Sequence, residues 1–304
     1  MVHQAAGFFA SDDPGYVEHV RNRLAAELDA VNDAAFSELL DRLMTTGGHW
    51  GYHPPHPIAR HLHHVMASLV LEPGSRIEGA ERLAVARERP VTFLVNHLSF
   101  ADANVFECLL HAGGYEKVID RLTVLAGPKV YSDPLRRFSS LCFGSIKTPQ
   151  SQSVASGEAL MSRREVAKLA AETIAAVEAR RNAGDHLLIF VEGARSRDGG
   201  MQPALAAVSR YLDDPEVVIL PVGVSGSERL VPVGEERLHR TEVVARIGAP
   251  VRSGELQARC EKKRGLLMDV IGLLIARQLP AAYRGVYADD APNHDAARAI
   301  AAAF

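Results

Sequence analysis

The feature that most limits how this chain can fold is an alternation that begins after Arg82. Short apolar or β-branched runs stand at Val91 to Val95, Leu122 to Leu125, His186 to Val191, Val217 to Val222 and Val243 to Ile247, with helically patterned stretches between them. Runs this short, bounded by turn residues, read as strands buried on both faces. Strands that alternate with helices give an α/β domain, so the predicted fold is a central, largely parallel or mixed sheet flanked by helices. The longest intervening helix has a capping box at Ser162-Arg163-Arg164-Glu165 and a stop at Gly184, just after Arg181.

Upstream the pattern is different. Apolar residues recur at helical spacing from about Tyr16 to Val31 and from Phe36 to Met44, with Asn32 or Asp33 able to cap the second segment. Glycines and prolines between Thr46 and Pro57 break the pattern, and Ile58 to Leu71 is helical again. We therefore expect a small helical N-terminal domain over 1–80 and an α/β domain over 81–304. At 304 residues, 47% hydrophobic and 23% charged, the chain can bury a sizeable core.

The same sequence excludes several functional classes. A formal charge of −3 gives no footprint for wholesale binding of nucleic acid, so any anionic ligand must be held locally. Cys108, Cys142 and Cys260 are far apart and form neither a zinc-ribbon pair nor a disulfide framework, which fits a reducing cytoplasm. The N-terminus lacks the charged and apolar regions of a secretory leader. Leu266 to Leu279 carries Asp269 and Arg277 and falls short of the roughly 20 apolar residues of a membrane span, so a buried helix is predicted there.

Four segments carry residues suited to chemistry. In Asn96-His97-Leu98-Ser99-Phe100-Ala101-Asp102, directly after a predicted strand, His97 and Asp102 stand five residues apart. On one helix that spacing rotates by about 500° and the side chains would diverge. A loop carrying His97, followed by a helix whose first turn carries Asp102, lets the carboxylate fold back and hold the imidazole as a base for an alcohol. The plainer alternative is a helix-capping histidine and an aspartate that complements the helix dipole.

The second segment, Glu192-Gly193-Ala194-Arg195-Ser196-Arg197, leaves another strand. Its two arginines can converge on a phosphate, and Gly193 lets backbone come close to a ligand; a solvated charged loop is the alternative. The third runs from Gly127 through Asp133-Pro134-Leu135 to Thr148 and contains Lys147, either a point charge completing that site or a surface lysine. The fourth, Ile219-Leu220-Pro221-Val222-Gly223-Val224, has no ionisable side chain and forms at most an apolar wall.

Taken together, these segments resemble the glycerolipid acyltransferase superfamily. Asn96 to Asp102 resembles its N-H-x-S-x-x-D block, Glu192 to Arg197 resembles E-G-T-R-S-R, and Ile219 to Val224 resembles its fourth block. Gly127 to Thr148 is most similar to the soluble plastid-type glycerol-3-phosphate acyltransferases. The resemblance covers about Val91 to Val224. It departs at Val191, where many relatives have proline, and at Lys147, where membrane relatives often have arginine.

The resemblance implies transfer of an acyl group from a CoA or acyl-carrier-protein thioester to a hydroxyl of glycerol 3-phosphate or a lysophospholipid. His97 would be the base and Asp102 its partner. Lys147, Arg195 and Arg197 would hold the acceptor phosphate, with Ser99, Glu192 and Gly193 in support. No metal or cofactor beyond the thioester is expected, and peripheral contact of a cytoplasmic protein with a membrane surface is compatible with such an acceptor. Two other readings stay open: the same chemistry on a phosphate-free hydroxyl or amine of a specialised metabolite, and a non-catalytic lipid-binding protein of this fold.

Other signals are weaker. His49, His53, His56, His61, His63 and His64 fall within sixteen residues, but no cysteine or carboxylate lies among them and their spacing matches no zinc motif. Gly223-Val224-Ser225-Gly226-Ser227 lacks the last glycine of a hydrolase elbow. Cys142 lies between Leu141 and Phe143 and reads as a buried, inert thiol.

Overall fold

The computed structural model describes residue 9, residue 11 and residues 13–132, 134–149, 163–235 and 237–304. In chain order its helices and strands are α1 (Pro14–Asp29), α2 (Asp33–Thr45), β1 (Gly51–His53), α3 (Pro57–Val70), β2 (Arg76–Glu78), α4 (Ala84–Glu88), β3 (Val91–Val95), α5 (Asp102–Ala112), α6 (Glu116–Ile119) and β4 (Leu122–Ala126). Then come α7 (Pro134–Ser140), β5 (Gly144–Lys147), α8 (Arg163–Asn182), β6 (His186–Phe190), β7 (Val218–Ser225), β8 (Val244–Ile247), β9 (Val251–Arg252), α9 (Ser253–Arg259), α10 (Arg264–Ala276) and α11 (Asp295–Ala301).

The strands form one mixed sheet in the order β1-β5-β4-β6-β3-β7-β8-β2, with β9 paired to β7. Its centre, β5-β4-β6-β3-β7, is entirely parallel, whereas β1 pairs antiparallel to β5, β8 and β9 pair antiparallel to β7, and β2 runs parallel to β8. The α/β expectation therefore holds. The parallel centre is buried on both faces, as crossover helices require. Phe93, Val95, Val124, Leu188, Leu220 and Val222 point into one core with residues of α1, α3 and α5. Their alternates Leu94, Leu125, Leu187, Ile189 and Ile219 point into a second core against α8 and α10. This is the two-residue period of a strand, and it explains why the runs looked continuously apolar.

The helices follow the sequence closely. Asn32 caps α2 by accepting from the Ala35 amide, and α10 is the buried helix expected in place of a membrane span. Among the described residues no helix is long and apolar enough to cross a membrane. Gly184 ends α8 at φ +95°, which a residue with a side chain tolerates poorly. Ser162 of the expected capping box, and Asp133 of Asp133-Pro134-Leu135, lie outside the described residues.

Two short strands were not anticipated. Gly51–His53, inside the stretch read as a Gly/Pro break, pairs with β5, and Arg76–Glu78 pairs with β8. Both edges of the sheet thus come from residues within 1–80. Three-residue strands carry too little periodicity to be seen in sequence.

Candidate active site

The C-terminal ends of the parallel strands β3, β6 and β7 lie side by side, the position at which α/β sheets present their ligand-binding loops. The β3 loop carries His97, the β6 loop carries Glu192 to Arg197, and the turn after β7 carries Ser227.

His97 and Asp102 meet. Asp102 is the first residue of α5, and its Oδ2 lies 2.8 Å from His97 Nδ1. The same oxygen accepts from the amides of Leu98 at 2.7 Å and Ser99 at 2.9 Å, while Oδ1 accepts from the Ser227 hydroxyl at 2.6 Å. The carboxylate is an acceptor for the imidazole, so in the neutral ring the proton sits on Nδ1 and Nε2 keeps its lone pair. Asp102 is fully buried, whereas the His97 side chain retains 16% exposure. The ring stacks on Phe190 with centroids 4.1 Å apart, which fixes its plane as the aspartate fixes its tautomer. This arrangement is chemically a buried carboxylate orienting a solvent-accessible base.

The loops around the pair are tied to it through backbone. Asn96 makes two hydrogen bonds to β7, donating to the Val224 carbonyl at 2.9 Å and accepting from its amide at 2.7 Å. The fourth block therefore anchors the first as well as providing apolar surface. Glu192 is buried and accepts from the His97 amide and the Gln202 amide, each at 2.7 Å. Burial pushes its carboxyl up to about 7 against the lowering effect of those two bonds. The Ser196 amide donates to the His97 carbonyl at 2.7 Å. Ser99 is buried in the same turn, its hydroxyl accepting from the Ala101 amide.

Gly193 adopts φ +68°, and a Cβ there would collide with the Leu205 side chain. The backbone conformation thus favours glycine at this position, and a Cβ would also have to displace the Leu205 methyl.

The cationic residues separate into two places. Arg195 lies over the Phe100 ring at 4.2 Å from its centroid, and so does Arg136 of α7. Burial, followed by the neighbouring charges of Arg136 and Arg197, pulls the Arg195 guanidinium below its ordinary range. Arg195 Nη1 is buried without a hydrogen-bond partner among the described residues. Lys147, at the end of β5, instead donates to the Gly47 carbonyl at 2.7 Å and lies over Trp50 at 4.6 Å. Two strands, β4 and β6, separate β5 from β3, so Lys147 sits about 14 Å across the sheet from the His97 loop, at roughly 4.8 Å per strand.

Sequence reading missed Ser227, Phe190, Phe100 and Arg136. Phe190 is the last residue of β6 and Ser227 follows β7, and a polar residue just beyond a buried strand end is the signal Ser227 offered. Arg136 had none, because only the packing of α7 brings it to Phe100. The histidine-rich stretch splits up: the rings of His49 and His53 pack 4.3 Å apart, His61 reaches Glu27 at 2.6 Å, His63 is buried on the Ala59 carbonyl, and His64 reaches Glu107. Cys142 is buried, and its thiol is pushed well above the ordinary range by burial.

Residues 75–225 match the model of the Acyltransferase family. The matched stretch is just under half of the chain. It runs from β2 to the end of β7, so it takes in one strand from the helical N-terminal region and stops just short of Ser227. Among solved structures, the crystal structure of the 1-acyl-sn-glycerophosphate (LPA) acyltransferase PlsC from Thermotoga maritima is similar at 17% identity and a TM-score of 0.47, over 70% of this chain and 75% of that one. No curated protein matches the sequence.

Proposed function

We propose that the acyltransferase domain moves a fatty acyl group from a CoA or acyl-carrier-protein thioester to a hydroxyl of glycerol 3-phosphate or a lysophospholipid, with His97 as general base. The observation that carries the reading is the 2.8 Å contact between His97 Nδ1 and Asp102, which directs a lone pair on Nε2 outward. In this reading Nε2 takes the acceptor's hydroxyl proton as that oxygen bonds to the thioester carbonyl carbon. The tetrahedral intermediate then expels the thiolate, the C–S bond breaks, and the imidazolium returns its proton to sulfur. Asp102 stabilises the transient imidazolium. A thiolate leaves readily, since thiols ionise near pKa ~8.5, so one base suffices and the step calls for no metal or further cofactor.

Arg195 and Arg197 would hold the acceptor phosphate, and Arg195 Nη1, buried and without a partner among the described residues, supports this because such donors ordinarily find an acceptor. Arg136 joins them in this reading, since it shares the Phe100 ring. Lys147 would serve a more distant part of the substrate, across β4 and β6 from His97. The likeness of Gly127 to Thr148 to the plastid-type enzymes favours glycerol 3-phosphate as acceptor and a cytoplasmic protein that meets membranes peripherally.

An acceptor screen with purified protein and labelled acyl-CoA, read by product mass, tests the proposal. Acylated glycerol 3-phosphate or lysophospholipid is expected, with turnover in His97→Ala falling by about 10²–10⁴ while the fold is kept. Arg195→Ala is expected to raise the acceptor KM. Wild-type turnover in His97→Ala would overturn the base assignment. Acylation of phosphate-free acceptors alone would replace the acceptor with a specialised hydroxyl or amine. The absence of acylation of any acceptor would leave the lipid-binding reading.

A further inference from the structure

Behind the His97–Asp102 pair, about one and a half turns along α5, a second group of chemically capable side chains is buried between α3 and α5. Glu107 is fully buried, and both its carboxylate oxygens lie 3.0 Å from His64 Nε2. Cys108 Sγ is 3.6 Å from Glu107 Oε2. One donor atom from each of His64, Glu107 and Cys108 lies within 4.8 Å of the other two. Consecutive helical residues diverge by about 100°, yet the Glu107 carboxylate and the Cys108 thiol meet at 3.6 Å.

We propose that His64, Glu107 and Cys108 form a divalent-metal site, with zinc the ion their chemistry suits. A mixed imidazole, carboxylate and thiolate set is characteristic of this borderline ion. Tetrahedral zinc with bonds of about 2.0–2.3 Å sets its nitrogen and oxygen donors about 3.3 Å apart and its oxygen and sulfur donors about 3.6 Å apart. The observed 3.0 and 3.6 Å edges need only a small expansion at the first.

Charge also fits. On binding, the Cys108 proton leaves to solvent, and thiolate plus carboxylate neutralise the dication. Arg60 stands 3.5 Å from Glu107 but commits its donors to the carbonyls of Cys142 and Ile119 and to Asp120. It can stay in place. His64 retains some exposure, which gives an ion access from solvent. The ion would cross-link α3 to α5, the helix whose first residue is Asp102. In sequence the histidine-rich stretch contains neither carboxylate nor thiol; the fold supplies both from 43 and 44 residues further on.

The test uses the full chain, stripped by chelator and titrated with Co²⁺, whose thiolate charge-transfer absorption reports a bound cysteine. One equivalent is expected to produce that band, and Zn²⁺ is expected to bleach it and raise Tm. Cys108→Ser should abolish the band, and His64→Gln should weaken Zn²⁺ binding by more than the roughly 10–100-fold that outer-shell losses cause. The chain has three cysteines, so if Cys108→Ser fails to fold, Cys142→Ser and Cys260→Ser decide instead. A band retained in both assigns it to Cys108, and a band lost in either overturns the proposal. So does the absence of a band in the wild-type protein, or its persistence in folded Cys108→Ser.

Discussion

The Ser227 hydroxyl donates to Asp102 Oδ1 at 2.6 Å across 125 residues of sequence, joining the turn after β7 to the first turn of α5. Both carboxylate oxygens are therefore engaged, one by Ser227 and the other by His97 and two amides, which fixes the plane of the group. Hydrogen bonds to charged groups contribute about 1.5–3 kcal/mol. Ser227→Ala should accordingly lower kcat by about 10-fold or more while leaving the donor KM unchanged. Steady-state kinetics with varied acyl-CoA checks this, and an unaltered kcat would mean that Asp102 holds its position without the serine.

Asn96 is buried with both ends of its amide bonded to Val224. Asn96→Asp replaces a donor by a second acceptor facing the Val224 carbonyl. Unfolding in urea should show a loss of at least about 2 kcal/mol, because a buried acceptor loses its partner and a charge is introduced. A loss below 1 kcal/mol would show that the strand ends stay paired on their own.

At Gly193 two costs are separable. Gly193→Ala forces a side chain into φ +68° and against Leu205. A destabilisation of about 1–3 kcal/mol is expected, part of it relieved in Gly193→Ala/Leu205→Ala, where the clash is gone and the backbone cost remains. Full recovery in the double variant would refute the conformational part.

Acid should destabilise the protein in a defined window. Burial drives His53, His63 and His186 down to about 4 from an ordinary 6.5. Between pH 6.5 and 4 the unfolded chain therefore binds more protons than the native one, and stability falls as pH falls. Glu192, raised to about 7, acts in the opposite direction between 7 and 4.5, and three groups outweigh one. His186 Nδ1 accepts from the Val91 amide, which an asparagine oxygen can replace. His186→Asn should reduce the slope of unfolding free energy against pH by about 1.4 kcal/mol per unit at mid-window. An unchanged slope measured by urea unfolding from pH 4.5 to 6.5 would exclude His186 as a contributor.

Local chemistry made much of this legible in advance. The runs at Val91 and His186 became β3 and β6 nearly to the residue, because strands buried on both faces need unbroken apolar sequence. The placement of Asp102 at a helix start could also be reasoned out, since a continuous helix through both residues would turn it away from a histidine five residues earlier. Edge strands β1 and β2 could not be read, because three residues carry no pattern and their pairing partners, β5 and β8, lie far along the chain.

The sequence by itself determined the layer order, the loop that carries His97 and the carboxylate that orients it, all of which depend on neighbours within a few residues. Only the tertiary structure decided that Ser227 completes the aspartate's bonding, that Arg136 rather than Lys147 joins Arg195 at Phe100, and that His64 finds a carboxylate and a thiol on α5. The reason is physical. Each of those contacts is made between elements whose approach is set by burying the two faces of one sheet, and that packing leaves no trace in local spacing.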